Sequence, residues 1–327
     1  MLPIAVDAMG GDKGPAEIVA AARQAATELG VPVLLVGDPD AIGDAGGLEI
    51  LAASEVIAME EDAATGVRRK KDASVVRAAE SVREGRASAM VSAGNTGAAM
   101  GSALLRMGRL PGVSRPAIAT PIPVPGSIPT VLLDSGANAE CQAAWLVQFA
   151  QMGAAYFTGR YGVEEPRVGL LSIGEESNKG SPLVKETHAL LAGGDNARLG
   201  GPFIGNVEGR DLMSNRVDVV VTDGFTGNIA LKALEGAATV MRDAVFGVLM
   251  STDEAIKASE VLLPLLAPLA TELDPDTYGG ALLLGVDGVC VISHGSSSTS
   301  AVVNAIRVAR DMVADGLVDR VRQAVKA

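Results

Sequence analysis

The sequence predicts an α/β protein whose largely parallel sheet is covered on both faces by helices. Short apolar runs of four to five residues end in Gly-bearing polar turns, and an amphipathic or Ala-rich helical stretch follows. Runs that are apolar throughout suit strands buried on both faces, and strands alternating with helices assemble in parallel. Hydrophobic types make up 48% of the 327 residues and aromatics only 3%, so the expected core is large, aliphatic and free of staples.

In chain order, Ile4-Ala5-Val6 reads as the first strand, and the turn Asp7–Gly14 leads to Pro15 in the first turn of a helix through Ala16–Leu29. Adjacent Gly10 and Gly11 leave no bulky side chain over the strand end; the plainer reading is a tight turn capped by Asp12. Ala89–Ser92 runs into Ala93–Gly97 and a helix Ala98–Met107. Thr130–Leu133 runs into Asp134–Asn138 and a helix Ala139–Met152. Arg167–Leu171 meets Ser172–Ser177, and Val217–Val221 meets Thr222–Asn228 before a helix Ile229–Met250. Val289–Ile292 meets Ser293–Ser298 before a helix Thr299–Val313.

Parallel sheets bind ligands at the carboxyl ends of their strands, and all these turns are expected at that end. Their Ser, Thr and Asn residues suit helix N-caps, and their glycines permit close backbone approach. Any α/β protein caps helices in this way, so one such turn says little. Several helix N-termini converging on one crevice would offer free N–H groups and positive dipole ends, an anion site.

Other classes are disfavoured. Twenty-seven basic against 39 acidic residues give a net charge of −12, which argues against nucleic acid or anionic head groups as electrostatic partners. Cys141, Cys290, His188 and His294 are too dispersed for a disulfide framework or a Cys/His zinc site. Met1–Gly11 lacks the pattern of a signal peptide, and no apolar run reaches the ~18 residues that span a bilayer. A soluble, cytoplasmic protein is expected. No two glycines are separated by one residue, no Gly-Lys pair occurs, and no serine has glycine at both −2 and +2. Dinucleotide fingerprint, Walker A loop and nucleophile elbow are therefore all absent. His188, in the helical stretch Pro182–Leu191, reads as a surface or capping histidine, and His294 sits in a strand-end turn. An enzyme built this way is expected to work by positioning and electrostatics.

The motifs together resemble the phosphate acyltransferase family called PlsX, which makes acyl-phosphate from acyl-acyl carrier protein. The resemblance rests on Ile4–Asp12, Val67–Lys71, Ser92–Gly97, Gly136–Asn138, Arg167–Leu171, Phe203–Glu208, Val219–Asn228, Tyr278–Ala281 and His294–Ser297. These blocks stand in the family's order over nearly the whole chain. The resemblance implies a three-layer α/β/α sandwich with a mostly parallel sheet, related to phosphotransacetylases and isocitrate-type dehydrogenases. It implies one catalytic unit over residues 1–327, made of two intimately packed subdomains, and a homodimer. No cofactor or metal is implied. Two catalytic residues carry over: Lys185, with Lys179 as a rival in a stretch that departs from the family pattern, and Asn228 of Gly224-Phe225-Thr226-Gly227-Asn228. Phosphate or substrate binding falls to Asp7, Gly10, Gly11, Gly94, Asn95, Thr96, Gly97, Asn138, Asn206, Thr226, Gly227, Ser296 and Ser297. Asp7 and Asp12 either bind a counter-cation or hold backbone amides.

Phosphate is already an anionic nucleophile, so its attack on a thioester needs charge neutralisation more than a base. Helix N-termini at Gly94–Gly97 and Gly224–Asn228 would cradle it, with Lys185 supplying an ammonium and Asn228 an N–H to the oxyanion. Arg68-Arg69-Lys70-Lys71 is the one four-residue basic cluster. It is either a solvated surface or a docking patch for the acidic carrier protein, with Arg106, Arg109 and Arg115 as further contributors.

Competing readings are a coenzyme A-dependent phosphotransacetylase, a decarboxylating dehydrogenase of similar fold, and a non-catalytic membrane-associated scaffold. The run Val261–Ala270 has no polar side chain and two prolines, Pro264 and Pro268, which would spoil a regular buried helix. It is either a core or dimer-interface segment, or an exposed tip whose Leu262, Leu263, Leu265, Leu266 and Leu269 dip into one leaflet of the inner membrane face.

Overall fold

The computed structural model describes residues 1–194 and 199–326. Its strands are β1 (Ile4–Asp7), β2 (Val33–Gly37), β3 (Glu49–Ala52), β4 (Ala89–Ser92), β5 (Ala117–Ile122), β6 (Thr130–Leu133), β7 (Val168–Leu171), β8 (Phe203–Val207), β9 (Val219–Val221), β10 (Ala281–Leu284) and β11 (Val289–Ile292). The helices are α1 (Pro15–Leu29), α2 (Pro39–Ile42), α3 (Ala63–Arg69), α4 (Ser74–Arg83), α5 (Thr96–Ser102), α6 (Ala143–Tyr161), α7 (Pro182–Ala192), α8 (Gly224–Leu249), α9 (Asp253–Leu273), α10 (Thr299–Ala314) and α11 (Leu317–Lys326).

All the strands join one sheet in the order β3-β2-β1-β4-β11-β10-β5-β6-β9-β7-β8. The pairings from β3 to β11 are parallel, as are those from β6 to β8. Between these blocks β10 is antiparallel to both neighbours, and β5 is antiparallel to β6. The two blocks therefore run in opposite directions, and the expectation that all the polar turns share one end of one parallel sheet is corrected. Val91, Val291, Leu282, Ala119, Leu133 and Val221 are paired neighbours in a single row across the sheet. Strands β6 and β9 end on that row, while β4 and β11 end one residue past it. Opposed carboxyl ends thus meet in the middle of the sheet.

Apolar residues on successive positions feed different layers. Ile4 and Val6 belong to a core under α1, α6 and α10, whereas Ala5 belongs to one under α4 and α5. A third cluster, around Ile122, Leu132 and Val220, lies beneath Leu231 and Leu234 of α8. This is the three-layer arrangement expected, and its buried residues are mostly aliphatic; the largest buried aromatics, Phe149, Tyr156 and Phe157, all sit on α6.

Helix boundaries differ where side chains hold the backbone. Pro15 is the first residue of α1, but Gly14 is its N-cap, so Asp12 does not cap it. Helix α6 starts at Ala143 rather than Ala139: Asp134 fixes the preceding turn through the Ala137 and Asn138 N–H groups, and Gln142, the N-cap, is extended. Residues Gly224–Asn228 form the first turn of α8 instead of a separate loop, with Asp223 as N-cap.

Helices α8 and α9 form a hairpin. From Gly236 to Val248 every residue of α8 is exposed, and the one buried residue of α9 is Ser259. Helix α9 runs unbroken through Pro264 and Pro268. The helix is regular but exposed, not buried: carbonyls freed by the missing N–H groups face water, which satisfies them. Residues 261–270 lie along the flank of this hairpin, and its turn is formed by residues 250–252. No described helix is long and apolar enough to cross a membrane.

Candidate active site

Three strand-end turns interlock at the end of the first block. Asp7, 3% exposed, accepts from the Ser92 hydroxyl at 2.7 Å and from the Met9 N–H at 3.3 Å. Burial pushes its carboxyl above the usual range, against the lowering effect of these bonds. A Cβ on Gly10 would lie 2.6 Å from the Gly94 nitrogen, and the Asp12 N–H donates to the Gly295 carbonyl at 2.8 Å. Gly11 adopts φ +99°, a conformation that favours glycine. Asp7 thus holds the Met9 amide and the Ser92 hydroxyl in place. Asn95 caps α5 through the Ala98 N–H and spends its amide on the carbonyls of Ala58, Met59 and Glu61. Gly97 packs against Ala63 of α3, and Thr96 is left exposed.

The second block is organised by Asp134, a residue the sequence reading placed in a turn without a role. Its fully buried carboxylate accepts five N–H bonds, from Ile118, Gly136 and Ala137 on Oδ1 and from the Asn138 backbone and amide on Oδ2. Burial drives its pKa up, while the donors favour the charge. Asn138 also donates to the Pro116 carbonyl and accepts from the Gly224 N–H, so its N–H groups brace the turn. Gly224 and Gly227 let the first turn of α8 lie flat on this platform, and Thr226 closes the cap with both its N–H and hydroxyl on Asp223. Asn228 is exposed, with one amide bond to the Ser135 carbonyl at 3.2 Å. Its amide has a second proton to give.

Between the blocks lies a cavity of about 260 Å³, floored by β5 and roofed by α8. Thr96, Ser135, Asn228 and Ser297 line it, bringing together turns from both blocks. One flank carries Lys232, Glu235 and His294: Lys232 Nζ is 2.8 Å and His294 Nε2 3.5 Å from the two Glu235 oxygens. The His294 contact, followed by Lys232, holds the Glu235 carboxyl below its usual range against partial burial. The other flank is apolar, with Ile122, Pro123, Met213, Leu231 and Leu234. Lys232, Glu235 and the apolar flank were not singled out from the sequence, although the helical spacing Asn228-Leu231-Leu234-Ala238 carries the signal.

Other expected residues lie outside this cavity. Lys185 is exposed in the first turns of α7, whose Leu183 and Val184 pack against the α6 layer, opposite α8. Lys179 is also exposed and packs over Gly174. Asn206 is buried, donating to the Glu176 carbonyl at 2.8 Å and meeting His188 Nδ1 at 3.0 Å. His188 is thus a half-buried tether for α7 rather than a surface or capping group. Ser296 is exposed beside the cavity-lining Ser297. In the basic cluster Lys70 is consumed by the Val56 carbonyl and Glu61, leaving Arg68, Arg69 and Lys71 exposed. Arg106 pairs with Glu80, Arg109 bonds the Ser114 carbonyl and Arg115 stacks on Trp145.

The model of the family described as fatty acid synthesis protein matches residues 2–320. A phosphate acyltransferase of Elusimicrobium minutum is 48% identical over 331 residues, 98% of this chain and 95% of that protein. The chain belongs to the phosphate acyltransferase (PlsX) family. A second phosphate acyltransferase of this family, from Nostoc sp., is 48% identical over 318 residues, 95% of this chain and 92% of its own length. The family fold is shared more widely. A branched-chain phosphotransacylase from Enterococcus faecalis superposes with a TM-score of 0.61 at 18% identity, covering 96% of this chain and 99% of its own. A phosphotransacetylase from Staphylococcus aureus gives 0.61 at 16% identity, covering 95% and 94%.

Proposed function

We propose that this chain is an acyltransferase that moves a fatty acyl group from acyl-acyl carrier protein to inorganic phosphate, supplying acyl-phosphate for phospholipid synthesis. The observation that carries the reading is one cavity in which Asn228, at the N-terminus of the 26-residue helix α8, stands beside an apolar flank. A headgroup needs the first and an acyl chain the second. A phosphate oxygen bonds to the thioester carbon, the C–S bond breaks, and the thiolate leaves with the electron pair to take up a proton. The free N–H of Asn228 and the dipole of α8 stabilise charge on the attacked oxygen and the phosphate.

Lys185 is assigned the mobile ammonium. In support, strand β7, which precedes the turn leading to α7, pairs with β9, which precedes α8, so the two strands are neighbours in the sheet. Arg68, Arg69 and Lys71 are assigned to carrier docking. Their helix α3 begins at Ala63, against Gly97, one residue from the cavity-lining Thr96. Ala63 to Arg69 is about 9 Å of helix, a span that supports docking within reach of the cavity.

Homodimerisation through the hairpin fits the exposed stripe Met241, Val245 and Val248 on α8, spaced by four and three residues as in a helix-packing seam. Reversible membrane contact is assigned to Leu262, Leu265, Leu266 and Leu269, with Leu263 half-buried behind them. On this reading the protein works in the cytoplasm and on the inner face of the cell membrane.

Incubation with palmitoyl-acyl carrier protein and phosphate tests the whole reading: acyl-phosphate and free carrier thiol are expected. Faster turnover of palmitoyl-coenzyme A would favour the phosphotransacetylase alternative, and no product from either donor the scaffold.

A further inference from the structure

We infer that the apolar flank of the cavity is an acyl-chain ruler whose open far end is marked by Ala238 and Met213, so that these two residues set which chain lengths are used. The inference rests on the acyl-transfer reading above and adds the specificity-determining residues.

Two walls run away from the reacting end in the same direction. On β5, Ile118 lies beside Ser135, whose N–H donates to the Ile118 carbonyl, and Thr120 meets the Ser135 hydroxyl at 2.6 Å. Ile118, Thr120 and Ile122 share one face of the strand by alternation, and all line the cavity. From Ile118 to Ile122 the strand rises about 13 Å. On α8, Asn228, Leu231, Leu234 and Ala238 follow the helical repeat along one side and also line the cavity. From Asn228 to Ala238 the helix rises about 15 Å. Two independent elements therefore give the same length. At about 1.25 Å per methylene, the axial projection of a C–C bond of about 1.5 Å, the trough holds roughly 10 to 12 carbons.

The polarity separates the two flanks. Ser293 lines the cavity on its polar flank, is 5% exposed, and its hydroxyl has no partner among the described residues. A buried hydroxyl without a partner is costly unless a ligand supplies one. Ile122, Leu231 and Leu234 belong to the cluster that includes Leu212, next to Met213, and offer a chain only apolar contacts. Ala238, the smallest side chain of the α8 stripe, stands where a longer chain must leave the trough. A larger group there shortens the seat.

The test compares kcat/KM for octanoyl- and dodecanoyl-acyl carrier protein in wild type, Ala238→Leu and Met213→Phe. Each buried methylene is worth about fourfold in binding, so losing the last two or three lowers the dodecanoyl-to-octanoyl ratio at least tenfold. Native mass and melting temperature are measured for each variant, and the ratio is read only from variants that match wild type in both. Should either variant be misassembled, Ile122→Phe narrows the same trough from the β5 side and reads the same ratio. A ratio unchanged in the correctly assembled variants overturns the ruler while leaving acyl transfer standing. Wild-type protein that makes no acyl-phosphate from either donor overturns the underlying reading instead.

Discussion

Gly227 lies against the backbone of Asp134 so closely that a Cβ on it would sit 1.9 Å from the Asp134 carbonyl oxygen. The contact joins the first turn of α8 to the platform held by the Asp134 carboxylate, and thereby sets where Asn228 stands. Gly227→Ala must push the helix off or strain the turn, an overpacking cost of about 1–3 kcal/mol. Gly236 on the same helix has nothing within 4 Å of an added Cβ. The expected outcome is a lower melting temperature and weakened acyl transfer for Gly227→Ala, and an unchanged or slightly raised melting temperature for Gly236→Ala. Equal thermal scans for the two variants would remove the structural role given to Gly227.

Asn228 and Lys185 are both exposed, and Asn228 makes one side-chain bond to the fold. Asn228→Ala and Lys185→Ala are therefore expected to keep the wild-type melting temperature while lowering kcat at least ~10²-fold, the scale of losing one oxyanion donor. Steady-state kinetics on acyl-carrier protein decide it. Near wild-type turnover in Lys185→Ala would move the ammonium role to Lys179 or to the cavity-lining Lys232.

The basic cluster divides by what its members already touch. Changing Arg68, Arg69 and Lys71 together to Ala should raise KM for the acyl-carrier protein and flatten its salt dependence, with KM for phosphate little changed. Lys70→Ala should act differently, loosening the segment from Val56 to Glu61 that its ammonium holds. A fall in phosphate affinity in the triple variant would place those charges in the active site.

The strand-end turns were legible in the sequence because glycine, proline and capping side chains are local signals. Pro15 opening α1 and the turn Ser293–Ser298 ahead of α10 follow from residue type alone. The direction of the second block was not legible. Strands β4 and β6 are both short and mostly apolar, and nothing local distinguishes β6 running with β4 from β6 running against it; the antiparallel β10 and β5 between them decide. Asp134 was missed for a similar reason. A turn aspartate usually caps a helix, and only the tertiary fold brings the N–H of Ile118 to the same carboxylate. The two prolines of α9 argued against a regular buried helix, and the helix that carries them is exposed, with its freed carbonyls facing water.

Glu235 links the blocks by contacting Lys232 on its own helix and His294 from the turn after β11. Its pKa is lowered from 4.5 by His294 first and Lys232 next, so the unfolded chain binds the proton more readily than the native one. Stability contributed by this carboxylate is fully present above about pH 4.5 and fades as pH falls through the lower native value. Glu235→Gln should melt below wild type at pH 7, and the gap should close towards pH 3. Thermal scans across that range check the sign, and a gap that widens on acidification would contradict it.

The hairpin offers two apolar surfaces, and their separation makes the membrane reading testable. Leu262, Leu265, Leu266 and Leu269 share one stripe of α9 by their i, i+3, i+4, i+7 spacing, and Leu265 is 73% exposed. Inserting three or four leucines at roughly 25 cal/mol per Å² supplies several kcal/mol, enough for reversible binding against the repulsion expected from a net charge of −12. The seam Met241, Val245 and Val248 lies on α8, where a second copy would cover it. Leu265→Glu with Leu266→Glu should abolish co-sedimentation with phosphatidylglycerol-containing vesicles and leave native mass, folding and turnover of soluble acyl-carrier protein unchanged. Val245→Glu with Val248→Glu should instead halve the native mass. If the leucine pair halves the mass and the valine pair does not, the α9 stripe is the subunit interface, and lipid contact must be sought elsewhere on the molecule.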